Sequence, residues 1–394
     1  MKNPFNILGS SKYSIDEFSY VTSFLSGVLK GDEAISKLED IFANYVEEDF
    51  AIAVNSGTSG LHAALLALDL QKDDEIILPA IAVIMDAFVV LQSNATPVFA
   101  DVDPFTFNIS PSEVEKLVTK NTKAIIAIDW EGNPSDLFSL RKIADKSSIK
   151  LVSDCARSLK STINGKPTNN YSDISVYSFE SKKHLTTGGE GGMIVTSDPL
   201  LAEKARKFSG LGYSHLTSKA GKANLSEEIY QNPNYDRFSE IGYNYRMAPV
   251  NAAIGLGQLR RASRIRKRRM FCGQSYSEIV NKANKDWIIP QMTLEGHVNT
   301  FYTYSFFLDE HKGPLWKSFY EFYKHFGGTG FYGCVKIPYQ EKALLLRPEL
   351  YKKPHCPNAE KIQKGMVCLK TNMRNNFELK RELNALRKTL EHFK

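Results

Sequence analysis

Two adjacent lysines, Lys182 and Lys183, lie in the middle of a polar stretch, 178–192. The stretch opens on Ser178 and ends in the glycine pairs Gly188-Gly189 and Gly191-Gly192. A lysine amine held in a walled site loses its proton and attacks a carbonyl carbon, forming a Schiff base. Most Lys-Lys pairs are solvated turns, so the chemical reading depends on what else shares the site. One companion is Asn55-Ser56-Gly57-Thr58-Ser59-Gly60, six small or polar residues between an apolar run (50–54) and a helical one (61–68). A strand, a small-residue turn and a helix start turn free amides and the positive helix end toward an anion, and the hydroxyls add donors. The plain alternative is a helix capped by Ser56 or Thr58. A second companion is Asp154, a carboxylate closing the apolar run 150–154. Taken alone it reads as a helix cap.

The surrounding pattern says how these groups meet. Short apolar runs at 50–54, 75–79, 97–101, 124–128, 150–154, 173–178 and 193–196 predict strands. Helical stretches at 84–92, 112–118, 137–147 and 199–208 lie between or after them. Alternation of this kind predicts an α/β domain with a mainly parallel sheet, whose ligands gather at the carboxyl ends of strands. Asn55–Ser59, Asp154 and the lysine stretch all fall at such ends. Helix-like periodicity through Phe18, Val21, Phe24, Leu38 and Phe42 predicts an N-terminal arm over 14–46. The segment 210–239 is polar and aperiodic, the mark of a lid or an interface. An alanine-rich helix (250–259), a basic helix to about residue 280, short strands such as 303–308 and a final helix over 377–393 complete the chain. The predicted division is 1–260 for the arm and large domain and 261–394 for a smaller α+β domain.

With 394 residues, 42% hydrophobic and 24% charged, the chain has the composition of a globular protein with a large core. A net charge of +6 is mild for this length. The densest basic run, Arg260 to Arg269, reads as a solvated helix face, a subunit contact or an anion patch. No nucleic-acid motif accompanies it. Five scattered cysteines and the lack of any CxxC suggest neither a zinc site nor a disulfide framework. No metal site, no leader and no membrane span are expected, and the cytoplasm is the expected location.

The motifs together carry a resemblance. They are Asn55-Ser-Gly-Thr-Ser-Gly-Leu-His62, Glu131-Gly-Asn-Pro-Ser-Asp136, Ser153-Asp-Cys-Ala-Arg157, Tyr177-Ser-Phe-Glu-Ser-Lys-Lys-His184, Gly189-Glu-Gly-Gly192 and Gly242-Tyr-Asn-Tyr-Arg-Met247. In this order over roughly 35–270 the chain resembles the DegT/DnrJ/EryC1/StrS sugar aminotransferases. These are fold type I pyridoxal 5′-phosphate (PLP) enzymes, whose large domain has a mainly parallel seven-stranded sheet and whose C-terminal domain is smaller. Beyond about 280 the likeness thins. The resemblance implies that Lys183, not Lys182, forms the Schiff base with PLP and shuttles a proton. It implies that Asp154 pairs with the pyridinium nitrogen. Gly57, Thr58, Ser59 and Ser178 would bind the phosphate. Asn244 would reach the phosphate bound by the neighbouring subunit, and Arg246 that anion or the substrate's phosphate. His184 is a further candidate at the substrate, although such a histidine more often packs locally.

Three departures stand out. Val83 falls where the family often has an aromatic ring stacked on PLP. Arg157 replaces the usual glutamine, beside the cofactor's phenolic oxygen or turned to a substrate acid. An additional glycine makes the pair Gly188-Gly189.

The implied activity is transfer of an amino group from L-glutamate to a nucleotide-linked keto-sugar, in amino-sugar, polysaccharide or natural-product biosynthesis, by a homodimer with shared sites. The alternatives are a PLP-dependent keto-deoxysugar dehydratase and a non-catalytic regulator on the same fold. A dehydratase branch has histidine in place of the lysine; here Lys183 is retained.

Overall fold

The computed structural model describes residues 13–219 and 225–393. A seven-stranded sheet forms its centre, in the order Phe50–Val54, Gly192–Thr196, Ile174–Ser178, Lys150–Asp154, Thr122–Ile128, Glu75–Pro79, Thr96–Ala100. Gly192–Thr196 runs antiparallel to both its neighbours, and the rest of the sheet is parallel. The strands are near-continuous Ile, Val, Leu and Ala because helices cover both faces. Ile76, Ile77, Leu78, Ile125 and Ile126 have no exposed surface. Pro97 is tolerated because its strand is at the sheet edge, where a missing N–H breaks no ladder. That strand spans Thr96–Ala100, one residue earlier than the hydrophobic run suggests.

The N-terminal periodicity resolves into two helices, Ile15–Leu25 and Gly31–Val46, separated at Gly27 (φ +76°). Ser14 and Glu17 form a capping box that starts the first. The Glu17 carboxylate also accepts Gln258 Nε2 (2.6 Å) and the Arg261 guanidinium, pinning the arm to helix Pro249–Leu259. That helix in turn touches the lysine loop, since Asn251 Nδ2 donates to the Thr187 carbonyl at 2.5 Å.

Three antiparallel strands, Ile288–Pro290, Thr303–Leu308 and Met366–Lys370, form the smaller C-terminal sheet. Helices Ala262–Ala283, Trp316–His325 and Asn376–His392 enclose with it an aromatic core of Tyr276, Trp287, Phe306, Phe319 and Tyr323. Phe307, Tyr339 and Met366 belong instead to the large core that contains Trp130. Ala262 and Ile265 pack with Leu38 and Tyr177. So the first turn of the helix after residue 260 is bound to the large domain, and the two cores share a wall.

The basic run is divided: Arg260, Arg264 and Lys267 face solvent, and the other arginines turn inward. Arg261 and Arg269 are buried. Arg266 donates to the Lys160 carbonyl (2.9 Å), and Arg268 to the Met373 carbonyl (3.3 Å) and Asn376 Oδ1 (2.8 Å). Arg266 and Arg269 tie the helix back to the carbonyls of Lys160, Lys182 and Lys183, whereas Arg268 bonds within the C-terminal part, and a fork of guanidinium donors suits both tasks.

Candidate active site

The lysine loop follows Ile174–Ser178 and returns into Gly192–Thr196. Its two arms are stitched by Phe179 N to the Gly191 carbonyl (2.8 Å), Ser181 N to the Gly189 carbonyl (2.9 Å) and Thr187 N to the Phe179 carbonyl (3.1 Å). The additional glycine has a physical reason. Gly188 has φ +98°, and a Cβ there would stand 2.8 Å from Ile254 Cδ1 of helix Pro249–Leu259. Only glycine takes that backbone conformation without strain while lying so close to the helix.

Lys183 sits at the crest, half-buried, its Nζ 5.3 Å from the centre of the Tyr302 ring. Burial, followed by the charge of Arg157, lowers its pKa from 10.5 to about 8, against the pull of Asp154, Glu180 and Asp86. A substantial fraction of neutral amine near physiological pH is what a Schiff-base lysine needs. The loop is clamped from behind. Arg269 Nη2 donates to the carbonyls of Lys182 (3.1 Å) and Lys183 (3.0 Å), and its Nη1 to the Tyr302 carbonyl (2.8 Å).

Asp154 ends its strand at the same edge of the sheet. Its Oδ1 accepts the Ala156 amide at 2.7 Å. Its carboxyl also makes a side-chain hydrogen bond with Asp86, a buried residue in the first turn of helix Ile84–Gln92. Burial raises both carboxyls. Asp86 is raised well above the carboxylate range, because the Asp154 charge adds to its burial. The Ala156 amide and Lys183 hold Asp154 back. Val83 is the residue that caps the same helix.

Arg157 is turned to Glu131. The two form an ion pair, and the guanidinium lies 4.3 Å from the Trp130 ring centre. Thr303 Oγ1 donates to the other Glu131 oxygen at 2.6 Å. Gly132 (φ +92°) permits this arrangement, since a Cβ would lie 2.7 Å from the Tyr302 amide. Trp130, Glu131, Arg157, Lys182, Tyr302 and Thr303 line a recess of about 250 Å3.

The anion-site candidates come together as well. Ser56 caps helix Gly57–Leu66, its Oγ accepting Ser59 N at 3.1 Å. Thr58 stays exposed. A Cβ at Gly57 would lie 2.8 Å from the Ser178 Cβ and 3.2 Å from its Oγ, so the turn and the start of the lysine loop share one cradle.

Asn244 and Arg246 are exposed and lie against that turn. Asn55 Nδ2 donates to the Asn244 carbonyl (3.3 Å), and Arg246 Nε to Asn244 Oδ1 (3.0 Å). Both line an open cavity of about 770 Å3 with Arg206, Tyr213, His215 and Tyr230. Three of these belong to the aperiodic segment 210–239, of which 220–224 fall outside the described residues. His184 is in a different setting. It is 3% exposed and its Nε2 meets the Thr300 carbonyl at 3.2 Å. Burial and the Arg269 charge depress its pKa well below the usual range, so it is a neutral, packed ring rather than a group facing a ligand.

Four site residues were not assigned from sequence: Asp86, Glu131, Arg269 and Tyr302. Asp86 had a signal, as the lone charge in Ile84-Met-Asp-Ala-Phe-Val-Val-Leu91. Arg269 had none, being one of several arginines on a helix.

The layout of sheet, loop lysine, strand-end aspartate and glycine cradle is that of the PLP-dependent aminotransferases. The chain belongs to the DegT/DnrJ/EryC1/StrS aminotransferase family, whose model matches residues 14–379. An uncharacterised protein of Methanocaldococcus jannaschii, MJ1066, is 36% identical over 242 residues, 61% of this chain and 61% of that one. The GDP-perosamine synthase of Escherichia coli O157:H7 is 33% identical over 270 residues, 66% of this chain and 69% of the synthase. An aminotransferase from Psychrobacter cryohalolentis superposes with a TM-score of 0.86 over 97% of this chain and 98% of its own, at 24% identity, a likeness of fold. The cofactor of the family is PLP, and the half-buried amine, the strand-end carboxylate and the cradle that a Cβ would fill all fit it.

Proposed function

We propose that this protein is an aminotransferase that moves an amino group from L-glutamate to a nucleotide-linked keto-sugar. The observation that carries the reading is the partly neutral amine of Lys183, between Asp154 and the Gly57–Ser178 cradle at one sheet edge. PLP, when bound, supplies a carbonyl for an amine and an electron sink for the carbon beside it. The chain does the rest. Gly57, Thr58, Ser59 and Ser178 hold the phosphate with amides and hydroxyls. Asp154 keeps a positive ring nitrogen in place. Lys183 is the covalent anchor and, once free, the base that moves a proton at the substrate carbon. Val83 covers a ring face by apolar contact. Arg157, fixed by Glu131, sets a positive field beside Lys183 rather than reaching for a substrate acid.

Asn244 and Arg246 are the groups we place at an anion, with the sugar in the cavity they share with Tyr213 and Tyr230. Pairing of two chains completes the site in this reading. Ile241, Val28 and Leu25, 91%, 78% and 75% exposed, are apolar surface that a second copy would cover. Five free cysteines accord with the cytoplasm. No helix among the described residues is long and apolar enough to cross a membrane.

The test is spectroscopic. Purified protein given PLP develops a visible band, glutamate bleaches it, and 2-oxoglutarate appears in equal amount. Loss of the band in Lys183→Ala and its survival in Lys182→Ala are expected; the reverse would move the anchor by one residue. A keto-sugar consumed without stoichiometric 2-oxoglutarate would make the protein a dehydratase, and a chain with no half-reaction would be a regulator.

A further inference from the structure

Asp86 has no place in the chemistry described so far. It lies in the first turn of helix Ile84–Gln92, where an acidic side chain favours the positive helix end. A helix start, however, is served equally by a serine or threonine. The surroundings of Asp86 are unusual for a carboxylate. It is 3% exposed, one of its oxygens (Oδ1) has no hydrogen-bond partner, and the charge that acts on it most strongly is that of another carboxyl, Asp154. The charged groups facing the pair are few. Arg157 acts on Asp86, and Lys183 acts on Asp154. Asp129, itself buried, adds negative charge near Asp154. Arg157 is already committed to Glu131.

We propose that Asp86 is a positioning residue that stays protonated and donates its proton to the Asp154 carboxylate, so that the pair carries a single negative charge toward a pyridine ring nitrogen. Two carboxylates in buried contact do not both ionise, so one proton is retained between them. The Ala156 amide and the Lys183 charge favour the ionised form at Asp154, which leaves the proton on Asp86. Asp154 is then held from two sides, by the amide and by the Asp86 hydroxyl. Its charge is also matched to one cationic ring nitrogen instead of being doubled. The inference rests on the reading of Asp154 as the partner of that nitrogen.

The experiment has one arm that needs no cofactor. Infrared difference spectra of apoprotein, wild type minus Asp86→Asn, at mildly alkaline pH, are expected to show the band of one protonated carboxyl. A featureless difference overturns the proposal. The second arm measures PLP affinity by equilibrium titration. Asp86→Ala, which removes the donor, is expected to weaken binding about tenfold. Asp86→Asn, which keeps a donor toward an ionised Asp154, is expected to restore it to within about threefold. Equal losses in the two variants overturn the proposal. If Asp86→Ala does not fold, the infrared arm and Asp86→Asn still decide. Wild-type protein that binds no PLP would defeat the functional reading, and the infrared result would stand apart from it.

Discussion

Arg269 and Lys183 are joined through the backbone, the guanidinium Nη2 donating to the Lys183 carbonyl at 3.0 Å. The same nitrogen donates to the Lys182 carbonyl at 3.1 Å, while Nη1 reaches the Tyr302 carbonyl. A residue of the helix that follows the large domain thus fixes the crest of the loop that carries the amine.

Replacing this arginine leaves the Lys182 and Lys183 carbonyls without their guanidinium donor, while the Tyr302 carbonyl keeps the Thr371 hydroxyl at 2.8 Å. Arg269→Met keeps much of the apolar volume and loses all donors, so the fold should lose about 2–4 kcal/mol. Arg269→Lys restores the charge but not the fork, and should recover only part. Urea unfolding of the two apoproteins measures this. A parallel loss in the rate of covalent PLP capture should accompany it, because a loosened crest no longer holds Lys183 against Tyr302. Wild-type stability in Arg269→Met would show that the clamp carries no weight.

The pH dependence of Lys183 has a definite sign. With a folded pKa of about 8, the free amine falls about tenfold for each pH unit below that value. Covalent capture of PLP by apoprotein should therefore rise up to about pH 8 and level off. The same shift links to stability. The folded pKa lies below the unfolded 10.5, so the unfolded chain binds more protons between the two values. The contribution to stability then rises with pH from about 8 to 10.5, and its cost is fully present below 8. Lys183→Met should flatten both profiles.

Arg157 makes that midpoint adjustable. It is held by Glu131 and adds positive charge near the amine, second only to burial in lowering its pKa. In Arg157→Gln the Lys183 midpoint should move to higher pH, and capture at neutral pH should slow about threefold, the equivalent of about half a unit. Thr303 still donates to Glu131, so the fold has a partner for that carboxylate. A midpoint that moved down would show that Arg157 acts on the site by contact, not by charge.

Much of the frame was legible in the chain. Apolar runs bounded by polar turns placed the strands of the main sheet, and motif order placed Lys183 and Asp154 beside Gly57 and Ser178. Long-range polar contacts were not legible. Nothing in a run of arginines says which ones turn inward to carbonyls, because that depends on a groove formed by residues 160, 182 and 302 after folding. Arg157 was readable as an anomaly, but its partner Glu131 is brought to it by Gly132 and the 299–303 segment, a meeting that spacing does not encode. The meeting of Asp86 with Asp154 joins a helix start to a strand end across the sheet order, which the sequence leaves open.

Gly57 offers a test of the cradle through space alone. A Cβ added there would stand 2.8 Å from the Ser178 Cβ, closer than side chains tolerate, while the backbone of the helix start is otherwise unstrained. Gly57→Ala should cost about 1–3 kcal/mol, because one of two packed segments must move. PLP affinity should fall about tenfold or more as the amide turn shifts away from the phosphate. Adding Ser178→Gly to Gly57→Ala removes the obstructing side chain. Stability should largely return in the double variant, whereas affinity should return only in part, since the Ser178 hydroxyl is gone. Thermal unfolding of the four apoproteins gives the coupling directly, and PLP titration of the same four separates space from hydrogen bonding. Additive stabilities across the cycle would mean that Gly57 and Ser178 do not share a wall, and the cradle would then have to be built from Thr58 and Ser59 without them.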